Sequence, residues 1–262
     1  MAFKMCNAYR ASDRVSQDLI RHVIYGEREY SVDDVFLRIV LFRLFSKQST
    51  WELLEQETGG VCRATLDVER LGDVLARRRE SAPVYTAAFI LATPAYGHAA
   101  KHRNHLALVD AMFKPGKLAK DLADAASLQA VFEHLLRYSG LGGFMAYQIA
   151  VDLNYSAALD FSEDSFTVAG PGALRGPRKI YSDFGDFTPS ELIMRLVDRV
   201  ATTAPGENRW PPAGRQRGRH WGEPMAVAGE KPMAVDSGSS RFHRPRATDE
   251  VGCGKLMPNS LL

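Results

Sequence analysis

The chain has 262 residues, 45% of them hydrophobic, with 33 Lys and Arg against 31 Asp and Glu and a formal net charge of +2. That composition suits one large or two small globular domains with a sizeable core. It argues against a membrane-spanning chain, since no run of about 18 apolar residues occurs, and Lys4 and Arg10 flank too short an apolar stretch for a signal peptide. Cys6, Cys62 and Cys253 show no CxxC spacing, so neither a disulfide framework nor a cysteine zinc site is suggested. A reducing, cytoplasmic setting is the corresponding expectation.

In chain order, the spacing first predicts a helix over 11–25, with Val15, Leu19 and Val23 as its apolar stripe. Arg10, Arg14, Gln17 and Arg21 fall at i, i+4, i+7 and i+11 on another face. A row of three guanidiniums suits bidentate phosphate contacts, and a solvated charged face is the alternative. Residues 33–46 contain FLRIVLFRLF, a central buried helix in which Arg38 and Arg43 must find a carboxylate or line a cavity. After a turn over 94–97, His98, His102 and His105 fall on one helical face that continues into Val109, Met112 and Phe113. With Lys101 and Asn104 beside them, the histidines suit a phosphorylated or polar substrate. The competing reading is a set of core histidines satisfied by backbone carbonyls. His98 and His102 have metal-ligand spacing, but no acidic or cysteine ligand nearby completes a set, so neither a metal nor a cofactor is expected.

Ser127 is a candidate N-cap for a helix over 127–138, and 143–153 is helix-permissive throughout. Between them stands Tyr-Ser-Gly-Leu-Gly-Gly-Phe, in which Gly140, Leu141, Gly142 and Gly143 form a Gly-apolar-Gly turn. A helix-hairpin-helix element presents backbone amides to a nucleic-acid phosphate in this way, which makes DNA the first partner to consider. An ordinary inter-helix turn looks the same. Asp152, Asp160, Glu163 and Asp164 then precede VAGPGALRGPRK, a loop too rich in Gly and Pro for a regular helix or central strand, carrying Arg175, Arg178 and Lys179. Thr188, Pro189 and Glu191 form a capping box with proline at N1 for the next helix. Residues 201–262 hold 9 Lys and Arg against 6 Asp and Glu, leaving 24 against 25 for residues 1–200. This Pro-, Gly- and Arg-rich tail lacks apolar periodicity and is expected to be disordered, and its abrupt onset also fits a shifted reading frame or a degraded C-terminus.

Taken together, NAYRASDRVSQDLIRHVIY, DVFLRIVLFRLFSKQSTWELLE, ATPAYGHAAKHRNHLAL, GLGGFMAYQIAVDLNYS and FTVAGPGALRGPRK resemble the helical family named after the 5-hydroxymethyl-deoxyuridine DNA kinase helical domain, over roughly residues 3–199. That family is grouped with the alpha-glutamyl/putrescinyl thymine pyrophosphorylases, relatives of the helix-hairpin-helix DNA glycosylases. The resemblance implies an all-α, glycosylase-like domain over 1–200 that acts in the hypermodification of thymine in DNA. A kinase activates 5-hydroxymethyluracil, and the pyrophosphorylase-type protein replaces the activating group with an amine or amino acid.

Combined with the patterns above, this predicts that Gly140, Leu141, Gly142 and Gly143, with Arg10, Arg14 and Arg21, hold DNA. An extruded base would then enter near His98, His102 and His105. Lys101, Arg175 and Lys179 would neutralise a departing pyrophosphate, with Asp164 or Asp152 as the base that deprotonates the amine. Lyase-active glycosylases carry lysine where Phe144 stands, which argues against a Schiff-base mechanism. The Asp-Thr-His context of the glycosylase aspartate is also missing around Asp164. The alternative is a non-catalytic DNA-binding module partnering a 5-hydroxymethyluracil DNA kinase, since this chain has no Walker A motif of its own.

Overall fold

The structure, a computed structural model, describes residues 10–88, 91–170, 172–203 and 255–256, with the backbone only for 200–203 and 255–256. It is all-α, as the sequence predicts. Asp13 caps α1 (Arg14–Asp18), its side chain accepting from the Val15 and Ser16 amides. The predicted helix over 11–25 is not one α-helix, because α1 widens into a π-helical turn, Leu19–Ile24, closed by the Tyr25 amide on the Ile20 carbonyl at 3.0 Å. At its C-terminal end the turn meets α2 (Val32–Phe45), whose Arg38 donates to the terminal His22 and Val23 carbonyls at 3.3 and 2.8 Å. The same guanidinium donates to Glu55 at 2.6 Å and to the Val61 carbonyl at 3.0 Å, and lies between the Tyr30 and Trp51 rings. This buried cation has found the carboxylate that the sequence requires of it.

Residues Phe36 to Phe45 of α2 are buried on every side, so this helix is the axis of the domain. Around it pack α3 (Gln48–Thr58), α5 (Lys101–Phe113), α6 (Leu118–Ala123), α8 (Gly143–Leu153) and the π turn. Two helix pairs complete the domain: α4 (Val68–Ser81) lies on α5, and α7 (Leu128–Leu135) lies on α8. Their inward apolar residues join one continuous core with α2. The Gly/Pro-rich loop contains two short helical turns, Ala173–Arg175 and α9 (Pro177–Ile180), with Pro177 at the first position of α9. Helix α10 (Pro189–Thr203) starts at the predicted capping box, with Thr188 and Glu191 exchanging bonds at 2.7 to 3.3 Å.

Strand β1 (Arg28–Glu29) pairs antiparallel with β2 (Lys255–Leu256). Of the tail expected to be disordered, 201–203 end α10 and 255–256 form β2, and the rest lies outside the described residues. The cysteine spacing suggested no pairing, yet Cys62 is disulfide-bonded, with its partner outside the described residues. No helix among the described residues is long and apolar enough to cross a membrane.

Candidate functional site

The α7–α8 connection has the helix boundaries read from the sequence, within a turn. Ser127 caps α7 by accepting from the Ala130 amide at 3.1 Å, and α8 begins at Gly143 after an N-cap glycine, Gly142, that supplies no side-chain bond. Gly140 has φ +96, and a Cβ there would lie 2.9 Å from the Pro94 Cα and closer still to its Cβ, so only glycine fits. Gly142 and Gly143 instead face open space. Leu141 is buried and pins the turn to the core, while Phe144 is 40% exposed. The start of α8 therefore offers backbone N–H groups and the positive end of a helix dipole, uncovered by its own side chains.

Two other segments reach this turn. Tyr96 donates its hydroxyl to the Ser139 carbonyl at 3.2 Å, which holds the 91–98 segment against the turn next to the Pro94–Gly140 contact. On the other side, a Cβ at Gly170 would meet the Phe144 ring at 3.3 Å, and Tyr147 donates to Thr167 at 3.3 Å. The Gly/Pro loop thus runs past the start of α8. Arg175, Arg178 and Lys179 are exposed on its short helical turns.

The polar face of α5 turns out to be committed elsewhere. His98 lies before the helix, so the three histidines do not share a face. His102 and His105 are each 2% exposed. His102 Nε2 meets the Gly72 carbonyl at 3.1 Å, with Arg79 at its Nδ1. His105 Nε2 meets the Ala92 carbonyl at 3.1 Å, and the Tyr85 hydroxyl meets its Nδ1 at 2.8 Å. Both rings act as neutral Nε2–H tautomers. Burial pushes both down in pKa, with the Arg79 cation adding to the effect at His102, and His105 falls to about 4. Lys101 donates to the Leu91 carbonyl at 2.6 Å over the Tyr85 ring. Asn104 takes the Tyr96 and His98 amides at 3.0 and 3.2 Å. Instead of an open substrate face, Lys101, Asn104 and His105 form a clamp on the 91–98 segment, and His102 ties α5 to α4. The carbonyl partners lie 10 to 30 residues away in sequence, which is why helical spacing alone did not find them.

The arginine row also changes. Arg10 precedes the α1 cap and turns inward, bonding to Asp152 at 2.5 Å and to Gln148, so only Arg14 and Arg21 remain exposed. Asp152, 0% exposed on α8, also receives Arg43 of α2 through two nitrogens, one at 3.0 Å. Both oxygens of this carboxylate are bound by guanidiniums, and it joins three parts of the chain. Burial opposes the charge on Arg10 most strongly, but Asp152, Tyr155 and Asp13 together hold it above its ordinary pKa. Beside this cluster, Asn154 clasps Phe161 through both backbone groups at 2.8 and 2.9 Å and fixes the turn that carries Glu163 and Asp164. Asp164 is exposed, whereas Glu163 is partly buried. Burial pushes the Glu163 carboxyl above the usual range, Arg10 pulls it back, and Asp164 and Asp152 push it up further. The sequence places Glu163 in this acidic run but gives no sign that it differs from its neighbours. No group of three or more His, Cys, Asp or Glu among the described residues is placed to hold a metal ion.

The family model for the 5-hmdU DNA kinase, helical domain, matches residues 1–219, and the chain belongs to that family. It is 26% identical over 214 residues to the protein named 5-hmdU DNA kinase from Bacillus phage SP10, an alignment covering 74% of this chain and 33% of that protein. The chain therefore spans about a third of the length of the curated relative that it matches. No solved structure matches it.

Proposed function

We propose that this chain is the DNA-holding helical module of a system that modifies 5-hydroxymethyluracil in DNA, working with a kinase activity supplied elsewhere. The observation that carries this reading is the uncapped start of α8 behind the glycine turn, in a family defined as the helical part of a larger kinase. The turn corresponds to a helix-hairpin-helix element. Its amides and the α8 dipole would grip a phosphate, and exposed Arg14, Arg21, Arg175 and Lys179 are available for further backbone contacts. The engagement of His102, His105, Lys101 and Asp152 inside the protein favours binding over chemistry at those residues.

A second reading is supported by one observation. Glu163 and Asp164 sit together on an anchored turn, one with its carboxyl pushed up and the other exposed. Such a pair suits proton transfer during replacement of a phosphate or pyrophosphate on activated 5-hydroxymethyluracil by an amine or amino acid. Two assays separate the readings: binding to duplexes with and without 5-hydroxymethyluracil, and nucleoside mass spectrometry after incubation with phosphorylated or pyrophosphorylated substrate DNA and a mixture of amines and amino acids. Salt-sensitive binding without a new nucleoside is expected of the module. An amine-bearing thymidine that is lost in Asp164→Ala or Glu163→Gln establishes the transferase, and absence of DNA binding sinks both.

A further inference from the structure

The segment that α5 clamps leads away from the glycine turn along the polar face of α5. His105 holds the Ala92 carbonyl and Lys101 the Leu91 carbonyl. His102, one turn before His105, is met by Arg79. At the other end of the segment, Pro94 and Tyr96 rest on Gly140 and Ser139. The exposed ridge of this segment therefore starts at the α7–α8 turn over Pro94, and the face of α5 that holds it also meets Arg79 in the last turn of α4 through His102. Thr93, Ala95 and Gly97 are exposed along it.

That end of α4 carries three consecutive arginines, Arg77, Arg78 and Arg79. Arg77 and Arg79 are exposed and Arg78 partly so, and neither Arg77 nor Arg78 meets a carboxylate among the described residues. On the same two helices, Arg70 pairs with Glu57, and Arg103 pairs with Glu69 and Asp73. Cations at a helix C-terminus complement the dipole, which accounts for a basic residue there but not for two left without a carboxylate.

We propose that the 91–98 ridge and the arginine end of α4 form a second contact for the DNA backbone, continuous with the glycine turn, so that the strand tracks from Gly142 past Thr93 to Arg77 and Arg78. This rests on the reading of the chain as a DNA-holding module. It assigns the polar face of α5 a positioning role, keeping the ridge in register with the turn.

The test is DNA binding by the full chain across a salt series, for wild type, R77Q/R78Q and Gly142→Val, with melting curves as a folding control. Losing two phosphate contacts should lower affinity about tenfold at low salt and flatten the log-affinity against log-salt slope by about two, at unchanged melting temperature. A photocrosslinking amino acid at position 93 should attach to the DNA. If Gly142→Val weakens binding while R77Q/R78Q keeps the wild-type affinity and slope and position 93 does not crosslink, the second contact is overturned and the module reading stands. If the wild type does not bind DNA at all, both fall.

Discussion

The polar face of α5 and the start of α8 are both rich in residues that a sequence reader marks as functional, and they are built in opposite ways. On α5, Nε2 of His102 and of His105, the Lys101 ammonium and the Asn104 amide are consumed by backbone groups of α4 and the 91–98 segment, and the two Nδ1 atoms meet Arg79 and Tyr85. At α8, the glycines contribute no side chains, and open space surrounds Gly142 and Gly143. Chemically versatile side chains have become scaffold, and residues with no side-chain chemistry form the open surface. Substitutions on the closed side should therefore read out as stability, and those on the open side as affinity.

The largest effect should come from Asp152→Ala, which would strand the buried Arg43 and the partly buried Arg10 and cost about 3–5 kcal/mol, measured as a shift in the urea midpoint. Next is acid. The His105 pKa falls from 6.5 to about 4 on folding, so the unfolded chain takes up that proton first, and stability is lost as pH drops through this window, by at most about 3 kcal/mol. His105→Gln should remove that part of the pH dependence in urea melts at pH 7 and pH 4.5. On the open side, Gly142→Val should weaken DNA binding about tenfold, roughly 1.4 kcal/mol, while costing far less in melting experiments. Smallest is Tyr96→Phe, which deletes the bond to Ser139 and should cost about 1 kcal/mol, with a matching rise in hydrogen exchange at the turn. A Gly142→Val variant that melts well below the wild type but binds DNA with unchanged affinity when folded would reverse the comparison.

What the sequence shows well is local. The bounds of α2 and α8, the Ser127 cap and the Thr188–Glu191 box all follow from periodicity and capping within a few residues. What it hides is long-range. Nothing near Arg10 points to a partner 142 residues away, and nothing in the histidine spacing points to Ala92 or Gly72. Nor does it show that the terminal carbonyls of the π turn are received by Arg38 on a different helix. Pro94 and Tyr96 read as an ordinary turn until Gly140 is seen beneath them.

The two buried arginines of α2 also differ in when their charges can be matched. Arg38 has Glu55 within the next helix, whereas Arg43 waits for Asp152. As the chain leaves the ribosome, α1 to α7 are synthesised with one core cation lacking its counter-ion, and the ion pair at that end of α2 is completed only once α8 has emerged. Folding of the domain is thereby tied to arrival of the helix that carries the glycine turn, so the scaffold does not close ahead of the surface it supports.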